Sequence, residues 1–416
     1  MKTLKSYCVV SVLCAGFLSC TRDFSTVPTA QPAREFTPVE KSLVQSSNTF
    51  GFRLFQQVNR EEGGRNLFIS PLSVSMALGM TLNGAAGGTE ADMRRTLGFG
   101  DMNQADINAS YKSILDLLPG LDPKTLIEIA NSIWYRLGFP VLPEFVDVSK
   151  ACFYAEVRGL DFSSPEAPGV INGWIEDRTH GKITRMIEEI DPATVMFLIN
   201  AVYFKGMWKT EFNPKSTSDD VFNGPQGGAI PCKMMRQKAV LGYYETDAFQ
   251  AADLPYGNGR YAMTVLLPKS GQSVEALAAS LDPASWSAVN NGLSEREITL
   301  HLPKFKLEYE IKLNDALSEM GMAVAFQGGL ADFSRIAAGR DLYIDSVKHK
   351  SFVEVDEKGT EAAAVTIVEI RETSAGPGDE IFMRVDRPFL VVIREKSSDA
   401  LLFMGKITAP ASEWQQ

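Results

Sequence analysis

Histidine is scarce in this chain: His180, His301 and His349 are the only three in 416 residues. The usual machinery of catalysis is equally thin, with no H-E-x-x-H zinc helix, no G-x-S-x-G nucleophile elbow and no G-x-x-x-x-G-K-[ST] phosphate loop. Cys152 and Cys232 lack metal-ligand spacing, so neither a metal nor an organic cofactor is expected. A triad gathered from distant residues stays open, because triads need not be contiguous. Five cysteines are too few and too scattered for a disulfide framework. Cys8 and Cys14 fall in the first twenty residues, and with Cys20 lipidated the only possible internal pair is Cys152 with Cys232, which are read in preference as unpaired buried thiols. Positive charge is also short, 41 Lys+Arg against 51 Asp+Glu for a net charge of -10, which argues against a nucleic-acid partner.

What is present begins with Lys2 and Lys5, an apolar run from Val9 to Leu18, then Ser19-Cys20. This is the layout of a bacterial secretory signal over residues 1–20, with a run too short to span a bilayer. No later stretch is long and uncharged enough to span one either. Cys20 resembles the acylated cysteine of bacterial lipoproteins, although of the residues before it only Ser19 fits that pattern well; plain secretion with cleavage nearby is the alternative. A lipid at Cys20 would tether the protein to a membrane surface. The expected location is secreted or cell-surface, as an outer-membrane lipoprotein.

Residues 21–41, with Pro28, Pro32 and Pro38, read as a flexible tether. Leu43, Ser47, Phe50, Leu54 and Val58 recur at helical spacing and predict an amphipathic helix closed by Gly63-Gly64. Asn66 to Ile69 is a short apolar strand, and Ser70-Pro71 places an N-cap and a first-turn proline before a helix ending near Asn83-Gly84. Helical patterns dominate to about residue 190 apart from a strand at Leu126 to Tyr135. Strands then dominate: Met196 to Tyr203, Tyr261 to Leu267, a run from Ile298 to Ile311, and a hairpin of Phe389 to Ile393 with Leu401 to Met404. No linker or repeat divides the chain, so one α+β domain is expected over residues 42–411, with a tail at 412–416.

The segment Glu357-Lys358-Gly359-Thr360-Glu361-Ala362-Ala363-Ala364 and its continuation reads in two ways. Along an extended chain, Thr360, Ala362, Ala364, Thr366, Val368 and Ile370 share one face, small and then apolar, as in a strand with a buried side. Glu372 and the Ser/Gly/Pro residues after it look like exposed loop. A stretch that is both loop and strand is a candidate switch. His301 alternates with Leu300 and Leu302 and reads as a surface or satisfied core residue; His180 precedes Gly181 at a helix end.

These residues, with others, resemble the serpin family over essentially all of 43–411. The matching blocks follow family order: Asn66 to Ser73, Ile171-Asn-Gly-Trp through Thr179 to Ile183, Asn200 to Trp208, Leu254-Pro-Tyr256, Leu302-Pro-Lys-Phe305, Glu357 to Ala364, Asp386-Arg-Pro-Phe389 and Phe403-Met-Gly-Lys406. The resemblance implies a serpin fold of three β-sheets with about eight or nine helices and an exposed reactive-centre loop. It implies an inhibitor and not an enzyme: a target serine protease, with cysteine proteases as a further class, attacks the loop as substrate and is held as a covalent acyl complex. The cleaved loop then inserts into the main sheet. Inserting about twelve residues adds roughly ten ladder hydrogen bonds at about 0.5 to 1.5 kcal/mol each, comparable with a typical folding stability of about 5 to 15 kcal/mol. Only a loop free of proline and of inward charge can realise that gain.

By the family's count from Gly359, the resemblance places the reactive bond between Thr373 and Ser374, suited to elastase-like or subtilisin-like enzymes. Arg371-Glu372 offers a trypsin-like alternative, and Val368 and Ile370 offer elastase-like ones; Arg371 reads equally well as a solvated charge. The hinge is Glu357, Gly359, Thr360, Glu361, Ala362, Ala363 and Ala364. Ser70, Ser73, Asn200 and His349 match the polar cluster beneath the main sheet where it parts, called the shutter. Lys304 and Glu357, with Trp208 beside them, match the ion pair at the top of the opening, called the breach. Plain structural polarity is the competing reading for all of these. The alternative function is a non-inhibitory, serpin-fold binding lipoprotein, and a monomer is expected in either case.

Overall fold

The first helix begins earlier than its apolar spacing suggests. Thr37 and Glu40 form a reciprocal capping box with Pro38 in the first turn, and Arg34 pairs with Glu40 at 2.6 Å, so residues 34–41 belong to the folded domain and not to a tether. The computed structural model describes residues 34–339, 341–360 and 381–410.

Among these, nine α-helices run in chain order: α1 (Pro38–Glu62), α2 (Pro71–Leu82), α3 (Gly87–Leu97), α4 (Gln104–Leu117), α5 (Pro143–Phe153), α6 (Ala167–Arg178), α7 (Val274–Ser280), α8 (Pro283–Gly292) and α9 (Asn314–Leu317). The strands are β1 (Leu67–Ile69), β2 (Thr125–Arg136), β3 (Glu156–Leu160), β4 (Met196–Met207), β5 (Ser218–Asn223), β6 (Ala229–Glu245), β7 (Phe249–Pro255), β8 (Tyr261–Pro268), β9 (Ser294–Pro303), β10 (Phe305–Lys312), β11 (Lys348–Val355), β12 (Gly359–Thr360), β13 (Ile381–Arg384), β14 (Phe389–Glu395) and β15 (Leu401–Ile407). The run expected from Ile298 to Ile311 is two strands, because the chain leaves one sheet for the other at Lys304.

Among the described residues the hydrogen bonds join the strands into two continuous networks, the larger of which runs through two of the three expected sheets. The larger follows the order β1-β15-β14-β8-β7-β6-β9-β13, with β5 added to β6. The 17-residue β6 pairs with β5 and β9 along its length and with β7 at its end, and so fuses two of the expected sheets. Strands β8, β14 and β15 are buried at every position, as expected of strands covered on both faces.

The smaller sheet has the order β10-β11-β12-β4-β2-β3. Its β2–β4 ladder runs from Thr125 opposite Gly206 to Tyr135 opposite Met196, and its β10–β11 ladder from Phe305 opposite Val355 to Lys312 opposite Lys348. One face lies on the main core; on the other, α6 packs over Trp134, Ile199 and Ala201 to close a second, smaller core.

Candidate functional site

Two residues hold the middle of the smaller sheet together. In β12, Gly359 lies opposite Met207 and Thr360 opposite Gly206 of β4, while Thr360 also pairs with Val355 of β11. Both pairings are antiparallel, so β11 and β4 run parallel to each other with β12 as a wedge at one end. Past that wedge no described strand residue pairs between β11 and β4. Leu198 and Val202 of β4 face the main core yet stay only half-buried, as does Asn200 between them, on the side where β4 has no described partner.

The wedge is anchored by a compact turn. The Asp356 carboxylate accepts from the amides of Lys358 and Gly359, and the Asp356 amide donates to the Gly359 carbonyl. Gly359 passes so close to β4 that a Cβ would stand 2.0 Å from the Gly206 carbonyl oxygen, so only glycine fits. Lys304 meets Glu357 at 2.7 Å, and the Thr217 hydroxyl donates to the other carboxylate oxygen at 2.8 Å. Burial pushes the Glu357 carboxyl up, but these partners outweigh it and hold it below the usual carboxylate range. Trp208 is buried, donates from Nε1 to the Asp356 carbonyl, and stacks on Tyr256 at 4.5 Å. The Tyr256 hydroxyl meets the Thr360 hydroxyl at 2.6 Å. Lys304, Glu357, Trp208, Gly359 and Thr360 are thus one contact network.

Beneath the gap, the first turn of α2 reaches both sides. The Ser70 amide donates to His349 Nε2 on β11 at 3.1 Å, and the Ser73 hydroxyl donates to Asn200 Oδ1 on β4. Asn200 then donates to Asn131 of β2 at 2.7 Å, and Asn131 to the Phe153 carbonyl. Ser70 caps α2 by accepting from the Ser73 amide, which fixes the spacing of the two contacts. His349 is fully enclosed, and burial lowers its pKa to about 4, so it is neutral and accepts through Nε2. A cavity of about 10 Å³ lies here between Ser70, Ser73, Ile127 and Val202. Ser70, Ser73, Asn200 and His349 therefore belong together, although among the described residues His349 and Asn200 are linked through α2 and not directly.

Several members of this network were not singled out from the sequence. Asn131 could have been found as an amide inside an apolar strand; Thr217, 140 residues from Glu357, left no signal. His301 departs from a satisfied residue: its ring packs edge-on against Phe382 at 4.9 Å, and its buried Nδ1 has no hydrogen-bond partner among the described residues. His180 does sit just past the end of α6, where it meets Glu128 at 2.8 Å. Cys152 and Cys232 are both free thiols. Cys20, Glu361, Ala362, Ala363, Ala364, Val368, Ile370, Arg371, Glu372, Thr373 and Ser374 lie outside the described residues.

A wedge strand between two parallel strands, with an ion pair above it and a polar cluster below, can be set beside known proteins. The family model described as serpin (serine protease inhibitor) matches residues 45–410. The chain belongs to the serpin family. An uncharacterized serpin-like protein of Thermococcus kodakarensis is 34% identical over 93% of this chain and 90% of its own length. The leukocyte elastase inhibitor of Sus scrofa is 33% identical over 89% of this serpin and all of its own length. Among solved structures, the thermophilic serpin tengpin in its native state superposes with a TM-score of 0.82 at 31% identity, covering 92% of this chain and 97% of that one. The fold is the α+β serpin fold, and inhibitors of proteases are among its relatives.

Proposed function

We propose that this serpin is a suicide-substrate inhibitor of serine proteases, with cysteine proteases as a further target class, acting by cleavage and insertion of the loop after Thr360. One observation carries the reading: β12 already lies between β11 and β4, antiparallel to both, at one end of the gap that separates them.

Extending the two registers puts Ala362 opposite Phe204, Ala364 opposite Val202, Thr366 opposite Asn200, Val368 opposite Leu198 and Ile370 opposite Met196, where β4 begins. On the other side Thr366 comes opposite His349. Thr360 is buried on the core face, and alternation sends each of these residues to that face. Small and apolar side chains meet the core, and the single hydroxyl among those past Thr360, that of Thr366, falls between the two polar groups that α2 now satisfies. Glu372 lies beyond the end of β4.

The reactive bond we favour is Thr373–Ser374, with Arg371–Glu372 and bonds at Val368 or Ile370 as alternatives. Mixing the protein with elastase-, subtilisin- and trypsin-like enzymes should give complexes that survive boiling in detergent, and mass spectrometry of the released C-terminal fragment should find Ser374 at its start. Cleaved protein alone, with the protease fully active, would overturn the reading. We further propose that the protein acts outside the cell that makes it, tethered through Cys20. The support is the layout of residues 1–20, and the check is labelling with a clickable fatty acid in cells carrying wild type or Cys20→Ala.

A further inference from the structure

A groove of about 460 Å³ lies between α6 and the strands β2 and β3, on the face of the smaller sheet that α6 covers. Its size is within the range of small-molecule sites, roughly 300 to 1,000 Å³. Two tryptophans form its wall, Trp134 and Trp174, edge to face at 6.3 Å. Each carries a guanidinium over its ring: Arg158 stands 6.0 Å from the Trp134 centroid and Arg178 5.9 Å from that of Trp174. Neither arginine makes an ion pair or a side-chain hydrogen bond within the described residues, and the same holds for Glu156 and Asp177 in the same groove. Trp174 is nine-tenths buried, and its Nε1–H has no acceptor there.

The helix is cut away where it borders this space. Gly169 and Gly173 lie one turn apart on α6 and line the groove, and a Cβ at either would meet nothing within 4 Å. A glycine inside a helix costs about 1 kcal/mol relative to alanine, and here no close packing calls for it. Charges on a helix surface are ordinarily dispersed and solvated. These are gathered around one hollow, with both cations held on aromatic faces.

We propose that the groove binds a hydroxylated organic carboxylate, of which a uronic acid unit is the type. Arg158 and Arg178 take the carboxylate, since a guanidinium presents paired donors matched to its two oxygens. Glu156 and Asp177 accept from the hydroxyls, and the apolar face of the ring lies against the part of Trp174 that stays exposed, Trp134 being buried behind it. The same two acids repel a densely charged polyanion, so a single negative charge fits better than many.

This inference does not depend on the loop, and its test uses the uncleaved full chain. In calorimetric titrations glucuronate should saturate one site, with glucose and benzoate each binding at least about tenfold more weakly, as loss of a charged or of several neutral hydrogen bonds implies. Arg158→Ala and Arg178→Ala should each weaken glucuronate by about tenfold or more. Gly173→Leu should abolish binding by filling the hollow while Tm is kept, since the helix gains propensity and a Cβ there meets nothing within 4 Å; Gly169→Leu gives a second filled variant should the first fold poorly. Failure to saturate by about 20 mM, weaker than any specific site of this size should be, overturns the proposal. So does equal binding of glucose or benzoate, or affinity unchanged in the arginine and leucine variants.

Discussion

His349 accepts from the Ser70 amide at 3.1 Å, and this contact ties β11 to the helix below the gap. Because burial holds His349 at about 4 against an ordinary 6.5, the folded protein resists protonating it while the unfolded chain does not. The unfolded state therefore binds more protons in that interval. The resulting stabilisation, about 3 kcal/mol, is complete above pH 6.5 and is lost progressively as the pH falls toward about 4. Denaturant unfolding between pH 7.5 and 4.5 should show this decline, and His349→Leu should flatten it.

Thr360 alters how the hinge is best tested. Arginine at Thr360 is a poor probe of insertion, because Thr360 is already buried against Tyr256 and the change would disrupt the uncleaved protein as well. Ala364→Arg avoids that difficulty. On the proposed mechanism, a charge at position 364 is left unpaired on the core face, at a cost of several kcal/mol, once the loop enters the sheet. The uncleaved Tm should stay within about 1 °C of wild type. Inhibition should give way to simple cleavage, read as active protease and no detergent-stable complex.

Thr366→Val separates the two states more finely. The valine keeps the volume and removes the hydroxyl that the extended registers bring between Asn200 and His349. Leaving those groups less well satisfied should lower the stability of the cleaved form by about 1 to 3 kcal/mol and leave the uncleaved form unchanged. Parallel guanidinium titrations of the two forms decide this.

Gly359→Ala should destabilise the uncleaved protein by about 2 to 4 kcal/mol, since the new methyl meets the Gly206 carbonyl oxygen and Met207 Cα, both backbone atoms that cannot swing away. Tryptophan emission should shift with it, because the Trp208 amide donates to the Lys358 carbonyl next door.

Lys304→Met should expose how far Glu357 depends on its partner. The Glu357 carboxyl is held low in the folded protein, so its contribution is present at neutral pH, above its ordinary value of 4.5, and fades as acid titrates it. Removing Lys304 should cost about 1 to 2 kcal/mol at pH 7 and less near pH 4. A double-mutant cycle with Glu357→Gln measures the coupling.

Local rules made much of this architecture readable in the sequence. Ser70 and Pro71 mark the start of α2 correctly because capping is decided by neighbours a few residues apart. The start of α1 was missed although Thr37 and Glu40 carry the capping signature, since three prolines nearby suggested a tether. The strand break at Lys304 could have been read from alternation alone: the apolar positions are even-numbered through Ile298, Leu300 and Leu302 and odd-numbered from Phe305 through Leu307 and Tyr309, a slip of phase at Pro303-Lys304 where the chain changes sheet. At the site, Lys304, Glu357 and Trp208 could be brought together through family resemblance alone. Periodicity says nothing about residues 53 and 148 positions apart, which is how far Glu357 lies from Lys304 and Asp356 from Trp208.

The length of β4 acts as a ruler. Were the chain after Thr360 to continue the register that Gly359 and Thr360 set, it would reach Met196 after ten residues, a stroke of roughly 33 Å at about 3.3 Å per residue. Anything bonded just past Ile370 would be hauled from one pole of the sheet to the other. Extra residues inserted beyond Glu372 would add slack without adding travel, whereas shortening β4 would halt the cargo early.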